Sequence, residues 1–289
     1  MSLGKNLTPE QKAEIMAQVV ETDEGKVALA QAMIEPIRRS LEYQAIGRKL
    51  LLVDMLPQGA IPRYERDVAV AATVISRKGG VPVSYQEGEE VLVPTYEIAA
   101  YPSVRLSEIR ARRFYIVDRA QIKAKEALQK QEDTDIFSAL LAAATSSGQI
   151  VLSVGSLTVP AINDAFRYIE RHDLVTARLV MHADQYATIR NFGKDFYDEA
   201  TVREIITTGL FGHLYTADLH VSSRMPTDTV LVVATAETVG AFPIRQDITV
   251  LPADDPRNLR LGWVIYEEIG IVVLNAYAAA KITVSSSTS

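Results

Sequence analysis

Alternation of apolar and polar positions stands out in the first third of the chain. Residues 59–98 read GAIPRYERDVAVAATVISRKGGVPVSYQEGEEVLVPTYEI, two extended segments around a turn at Arg77-Lys78-Gly79-Gly80. Val68, Val70, Ala72 and Val74 alternate with Asp67, Ala69, Ala71 and Thr73, which is the period of a strand. The pattern predicts a very long two-stranded hairpin. Such a hairpin is marginally stable by itself, and its open edges invite pairing with another chain. Another copy of the same protein is the simplest supplier of that support, so the chain is expected to assemble.

Helical spacing brackets the hairpin. Thr8, Pro9 and Gln11 form a helix start, and Ile15, Val19, Val27, Leu29, Ala32, Met33 and Ile37 supply apolar positions up to Gly47. Gly25 and Pro36 divide this arm into two or three helices. From Ile116 to Ser146 there is no Gly or Pro, and Val117, Ala120, Ala124, Ala127, Phe137, Leu140, Leu141 and Ala144 recur near helical spacing. A helix of that extent spans roughly 46 Å at 1.5 Å per residue, with Asp133 and Asp135 as a candidate kink. Strands and helices then interleave. Strands are expected at 149–154, 178–181, 213–216, 219–222 and 230–234, with helices at 158–172, after Asp184, and at 199–208, which makes 150–240 an α/β unit. The remainder reads as strands at 248–250, 261–274 and 279–284, with a polar loop Asp254-Asp255-Pro256-Arg257-Asn258. The predicted class is α+β. The predicted division is an arm over 1–50, a hairpin over 51–99, one domain from 100–149 with 241–289, and a second domain over 150–240. The long helix is expected to cover the C-terminal sheet.

Composition narrows the function. The chain has 289 residues and no cysteine, so disulfides and thiol chemistry are excluded. Neither a signal-peptide core nor an apolar run of membrane-spanning length is present, which reads as a cytoplasmic origin. A net charge of −6 argues against a dedicated nucleic-acid binder. The charge is uneven: eight basic and three acidic residues lie between Arg105 and Lys130, among them Arg110, Arg112 and Arg113. That stretch reads either as a solvated helix face or as a surface for an acidic partner, such as a sister subunit.

Candidate chemistry is sparse. Phosphate-loop, dinucleotide, nucleophile-elbow and zinc-protease motifs are absent. His172, His182, His213 and His220 match no ligand spacing; a site built from His182 and Asp184 with His213 or His220 competes with surface or strand-end histidines, and no metal or cofactor is expected. Glu89-Glu90, Asp254-Asp255 and Glu267-Glu268 are adjacent pairs, which a strand would point to opposite faces. No catalytic residue is expected, and Trp263 reads as a core anchor.

The order of parts resembles the major capsid protein family of tailed bacteriophages, with the Hong Kong 97-type fold. Three passages carry the likeness: Leu179-Val180-Met181-His182-Ala183-Asp184-Gln185-Tyr186, then Gly209 to Tyr215 with Val221 to Pro226, and Glu268 to Ala279. The resemblance implies an N-terminal arm, an extended hairpin loop, a long spine helix, a peripheral sheet domain and an axial α/β domain. It implies a virion shell assembled in the host cytoplasm from pentamers and hexamers of this chain. Packaged double-stranded DNA would be held without sequence preference, with separate scaffold, portal and decoration proteins as further partners and no membrane. Subunit contacts are expected at Arg77, Lys78, Gly79, Gly80, Arg110, Arg112, Arg113, Asp254, Arg257 and Asn258. Some relatives join subunits by a lysine–asparagine isopeptide bond; Lys78 and Asn258 occupy the matching places, with Glu267 or Glu268, whichever faces inward, as the assisting carboxylate. Two other readings stay open, a nanocompartment shell enclosing cargo enzymes and a soluble enzyme with its site in 150–240.

Overall fold

The computed structural model describes residues 46–57, 59–66, 89–110, 115–192 and 213–285. Two six-stranded sheets organise them, and one long helix touches both. The first sheet is built on β11 (Gly240–Pro252) and β12 (Arg260–Ile269), paired antiparallel. β1 (Leu52–Met55) lies parallel to β11, and β4 (Tyr96–Ala100) lies antiparallel to β12. Two short strands, β5 (Ser103–Arg105) and β13 (Val272–Val273), pair with β12 and β11.

The second sheet runs β6 (Ile150–Val154), β14 (Ala279–Ser285), β10 (Thr229–Ala234), β7 (Thr176–Met181), β9 (Ala217–Val221), β8 (His213–Leu214). β10 is buried at every position, as its unbroken apolar sequence TVLVVA requires of a central strand covered on both faces. The helix α4 (Val159–Glu170) lies on this sheet through Ala161, Ile162, Ala165, Phe166 and Ile169, one helical stripe.

The helix α3 (Tyr115–Ser146) has 32 residues and continues through Asp133 and Asp135, so neither residue ends it. Both carboxylates have partners that keep them off the helix backbone. Asp133 accepts the Gly47 N–H at 2.8 Å, and Asp135 accepts the Tyr96 hydroxyl at 3.0 Å. α3 contacts β4, β5 and β13 of the first sheet and β14 of the second.

Two parts of the predicted division change. Strand 279–285 does not join the strands of 240–274; it inserts between β6 and β10, parallel to one and antiparallel to the other. The flanks of the expected hairpin, Leu52–Met55 and Tyr96–Ala100, are strands of the first sheet. A strand's sequence reports which face is apolar but not which neighbour completes its ladder, and that is why both placements escaped the pattern. The helix expected after Asp184 is α5 (Ala183–Arg190), capped by His182, whose Nδ1 accepts the Asp184 N–H.

Candidate functional site

Three features stand out: the root of the hairpin, an exposed loop, and a buried cluster of charge. The hairpin root is the two-stranded ladder β2 (Arg63–Arg66) with β3 (Glu89–Leu92), which pairs with neither large sheet. Side chains moor it instead. Tyr64 donates its hydroxyl to Asp54 at 2.7 Å, and Arg66 Nε donates to the Leu274 carbonyl at 3.2 Å; within the hairpin, the Val93 backbone N–H donates to the Pro62 carbonyl at 3.1 Å and extends the ladder. Burial and the Asp54 carboxylate raise the Tyr64 phenol well above its ordinary range, so it remains a donor. Val93, Ala241 and Val272 form a small apolar cluster beneath the root. Beside it a groove of about 650 Å³ is lined by Glu65, Arg66, Ser147, Glu237 and Tyr277 among others. The turn residues Arg77, Lys78, Gly79 and Gly80 lie outside the described residues.

The loop after β11 holds Asp254, Arg257 and Asn258, all exposed. Asp255 organises it. Its carboxylate accepts the Asn258 backbone N–H at 3.3 Å and the Asn258 side-chain amide at 2.6 Å, and these bonds hold it below the usual carboxylate range. Leu259 takes a left-handed conformation, φ 50° and ψ 47°, and is 67% exposed. The loop is thus a shaped tip presenting an apolar side chain between Arg257 and Arg260. Leu106 N–H donates to the Leu259 carbonyl at 2.9 Å, so the tip adjoins the short helix α2 (Leu106–Arg110). Arg110 ends that helix, while Arg112 and Arg113 lie outside the described residues. Where side chains of the basic stretch are described, Arg105, Lys123 and Lys130 are exposed.

The third feature was not anticipated. The helix α1 (Gly47–Leu50) inserts Arg48 between α3 and β12. Arg48 Nη2 lies 2.6 Å from Glu132 Oε1 and 3.0 Å from Glu267 Oε2, and Arg48 Nε adds a 2.9 Å bond to the same Glu132 oxygen. The guanidinium also sits over the Phe242 ring, 5.7 Å from its centre. Glu132 and Glu267 have no solvent exposure. Burial pushes both carboxyls upward. Glu267 reaches about 8, with Glu132 as the second cause, while Arg48 opposes the rise in both.

A signal for both glutamates existed in the sequence. Ala124, Leu128, Ile136, Leu140 and Ala144 form a four-residue series on α3, and Glu132 occupies its interrupted step. Leu261, Trp263, Ile265 and Ile269 are the inward positions of β12, and Glu267 lies in the same register. A carboxylate in an apolar series marks a buried partner. Glu267 therefore faces inward, but its carboxyl is taken by Arg48. Glu268 bonds Arg245 at 3.0 Å and Thr95 at 2.5 Å. Along β12 the Asn258 loop is roughly 20 Å or more from either, at about 3.3 Å per residue, so neither assists Asn258 within the subunit.

Among the described residues no group of three or more histidine and carboxylate side chains is arranged to hold an ion. His182 is used as a cap, and His220 is lowered by burial and by the nearby Lys49 and Arg178 charges.

A family model described as phage capsid protein matches residues 95–282. No curated protein matches the chain significantly. Many solved structures share the fold at low identity. One from Microbacterium phage Oxtober96 is 13% identical with a TM-score of 0.64, covering 83% of this chain and 91% of its own. The capsid structure of cyanophage P-SCSP1u is 14% identical with a TM-score of 0.61, covering 84% and 89%. The mature capsid of bacteriophage PhiM1 is 9% identical with a TM-score of 0.61, covering 84% and 88%.

Proposed function

The chain belongs to the phage capsid protein family, and on that premise we propose how one subunit is built to join the next in an icosahedral shell. It is a structural protein of the virion capsid, present in many copies. In the proposed arrangement, rings of five and six subunits form the wall. The long helix and first sheet act as spine and peripheral domain, the second sheet lies toward the ring axis, and the hairpin reaches over a neighbour. The observation that carries this is the β2–β3 ladder, which is moored at its root and shares no strand with either sheet.

Contacts between subunits are assigned to Arg77, Lys78, Gly79 and Gly80 at the predicted hairpin turn and to Asp254, Arg257 and Asn258 on the loop after β11. Arg110, Arg112 and Arg113 are assigned to the same contacts. Acidic and basic tips of this kind fix orientation more than affinity. Packaged double-stranded DNA is contacted weakly and without sequence preference, in keeping with the net charge of −6. Assembly takes place in the host cytoplasm, with scaffold, portal and decoration proteins as separate partners. Among the described residues no helix is long and apolar enough to cross a membrane.

Electron microscopy and light scattering of the purified protein test the reading. Shells or rings are expected from the full chain, and deletion of residues 67–88 is expected to abolish them while leaving the secondary structure intact. A monomer at all salt and protein concentrations overturns it. Particles filled with protein cargo and no DNA, recovered from the natural host, replace it with the nanocompartment reading.

A further inference from the structure

Arg48, Glu132 and Glu267 are brought together from three elements distant in sequence. Two ionised carboxylates and one guanidinium would leave a net negative charge in a site from which water is excluded, and an uncompensated buried charge is strongly unfavourable. The hydrogen bonds show the same deficit. Glu132 Oε2 and Glu267 Oε1 are both buried with no donor from another residue, and the two carboxyl groups lie within hydrogen-bonding reach of each other. One added proton removes the excess charge and supplies the missing donor.

We propose that Glu132 and Glu267 share a single proton, carried by Glu267 at neutral pH, and that this proton closes a clamp joining the 46–50 segment, α3 and β12. Glu132 is the ionised member because two guanidinium N–H groups converge on its Oε1, whereas Glu267 receives one, and the longer one. The surrounding groups favour retention. Asp133 on α3 and Asp247 on β11 add negative charge near the pair. Tyr96 on β4 donates its hydroxyl to Asp135 and stays neutral. None of these brings a second cation. The clamp also includes the backbone, since Asp133 holds the Gly47 N–H. Loss of the proton leaves the node with a net charge of minus one and two ionised carboxylates facing each other, relieved by water entering as the three elements part, which loosens α1 from α3.

The device belongs to one subunit and stands whether or not the shell reading holds. The test uses the full chain with glutamate side chains labelled with ¹³C at the carboxyl, so that Asp133 does not contribute. Infrared or magnetic-resonance titration is expected to show a protonated glutamate at neutral pH that ionises near 8, and to lose that signal in Glu267→Gln. Hydrogen exchange at the Gly47 amide is expected to rise through the same range in the parent beyond the ordinary base-catalysed increase, and to show no such excess in Glu267→Gln. A parent protein with every glutamate ionised at pH 7 overturns the proposal, as does a protonated signal that survives Glu267→Gln. Should that variant not fold, the parent titration decides alone.

Discussion

Two stretches of one helix face are held in different ways. From Phe137 to Ala144, α3 contributes Phe137, Leu140 and Ala144 to an apolar core shared with Ala279, Ala280 and Ile282 of the second sheet. One turn earlier, in the same stripe, Glu132 meets Arg48 and Glu267. Both stretches are dry. The first is stabilised by area removed from water and close packing, which are insensitive to pH. The second depends on charges balancing within hydrogen-bond distance, where a correct geometry roughly breaks even and an incomplete one is costly. Buried area alone therefore does not rank these contacts: the ionic stretch adds little net stability, yet it ties three elements together in one arrangement.

The largest effects come from breaking each stretch at its centre. Arg48→Ala leaves Glu132 buried without its cation and is expected to cost about 3–5 kcal/mol. Phe137→Ala is expected to cost about 3–5 kcal/mol through cavity formation. Denaturant unfolding checks both, and pH separates them: Phe137→Ala shifts the whole stability profile evenly, whereas Arg48→Ala changes its shape. Replacing Arg48, Glu132 and Glu267 together by Met, Leu and Leu is expected to be neutral or stabilising, measured the same way.

Smaller, but sharper as a test, is the pH profile itself. The folded-state Glu267 carboxyl is raised from 4.5 to about 8. Between those values the folded protein holds a proton that the unfolded chain releases. The contribution is therefore fully present below about pH 4.5, falls as pH rises through the window, and is gone above about 8. Subtracting the Glu267→Gln profile from that of the parent isolates this slope. Equal profiles for the two proteins would place the proton elsewhere.

Next comes Gly47→Ala. A Cβ there would lie 2.6 Å from Ile136 Cδ1 and 3.0 Å from Asp133 Oδ1, so the variant is expected to lose about 1–3 kcal/mol by overpacking, read as a lowered melting temperature. The smallest effect is expected from Arg63→Ala. Its pair with Glu90, 3.1 Å apart, has both side chains more than half exposed, and such pairs contribute about 0–1 kcal/mol.

Periodicity in the sequence marks elements well where they are long and one-sided. The helix expected over 116–146 is Tyr115–Ser146, the strand at 230–234 is Thr229–Ala234, and Trp263 is a core residue with 1% exposure. Pairing is a different matter. Nothing in AAKITVS distinguishes a strand beside Leu261–Leu274 from one between β6 and β10, because both environments want the same alternation. The ionic node was missed for a related reason. Adjacent carboxylates are visible in a sequence as pairs, whereas the pair that matters joins residues 132 and 267, far apart in the chain. The loop at Asp254–Asn258 was recognisable from its Asp-Pro composition, whereas its tight shape depends on Asp255, which bonds both the backbone and the side chain of Asn258.

The position of β14 has a consequence for how the subunit is made. This strand lies between β6 and β10, pairing Ile282 with Val151 on one side and with Val230 on the other. As the ribosome extends the chain, β6 emerges early, with no partner in its sheet until residues 279–285 follow. The second sheet is therefore completed only once residues 279–285 have been made. A nascent chain that stops short of this segment keeps an open gap between β6 and β10 and exposes apolar strand faces that chaperones and proteases act upon. A variant lacking residues 279–285 is therefore expected to be found with chaperones or proteolysed rather than in assembled particles, which pull-down and sedimentation check.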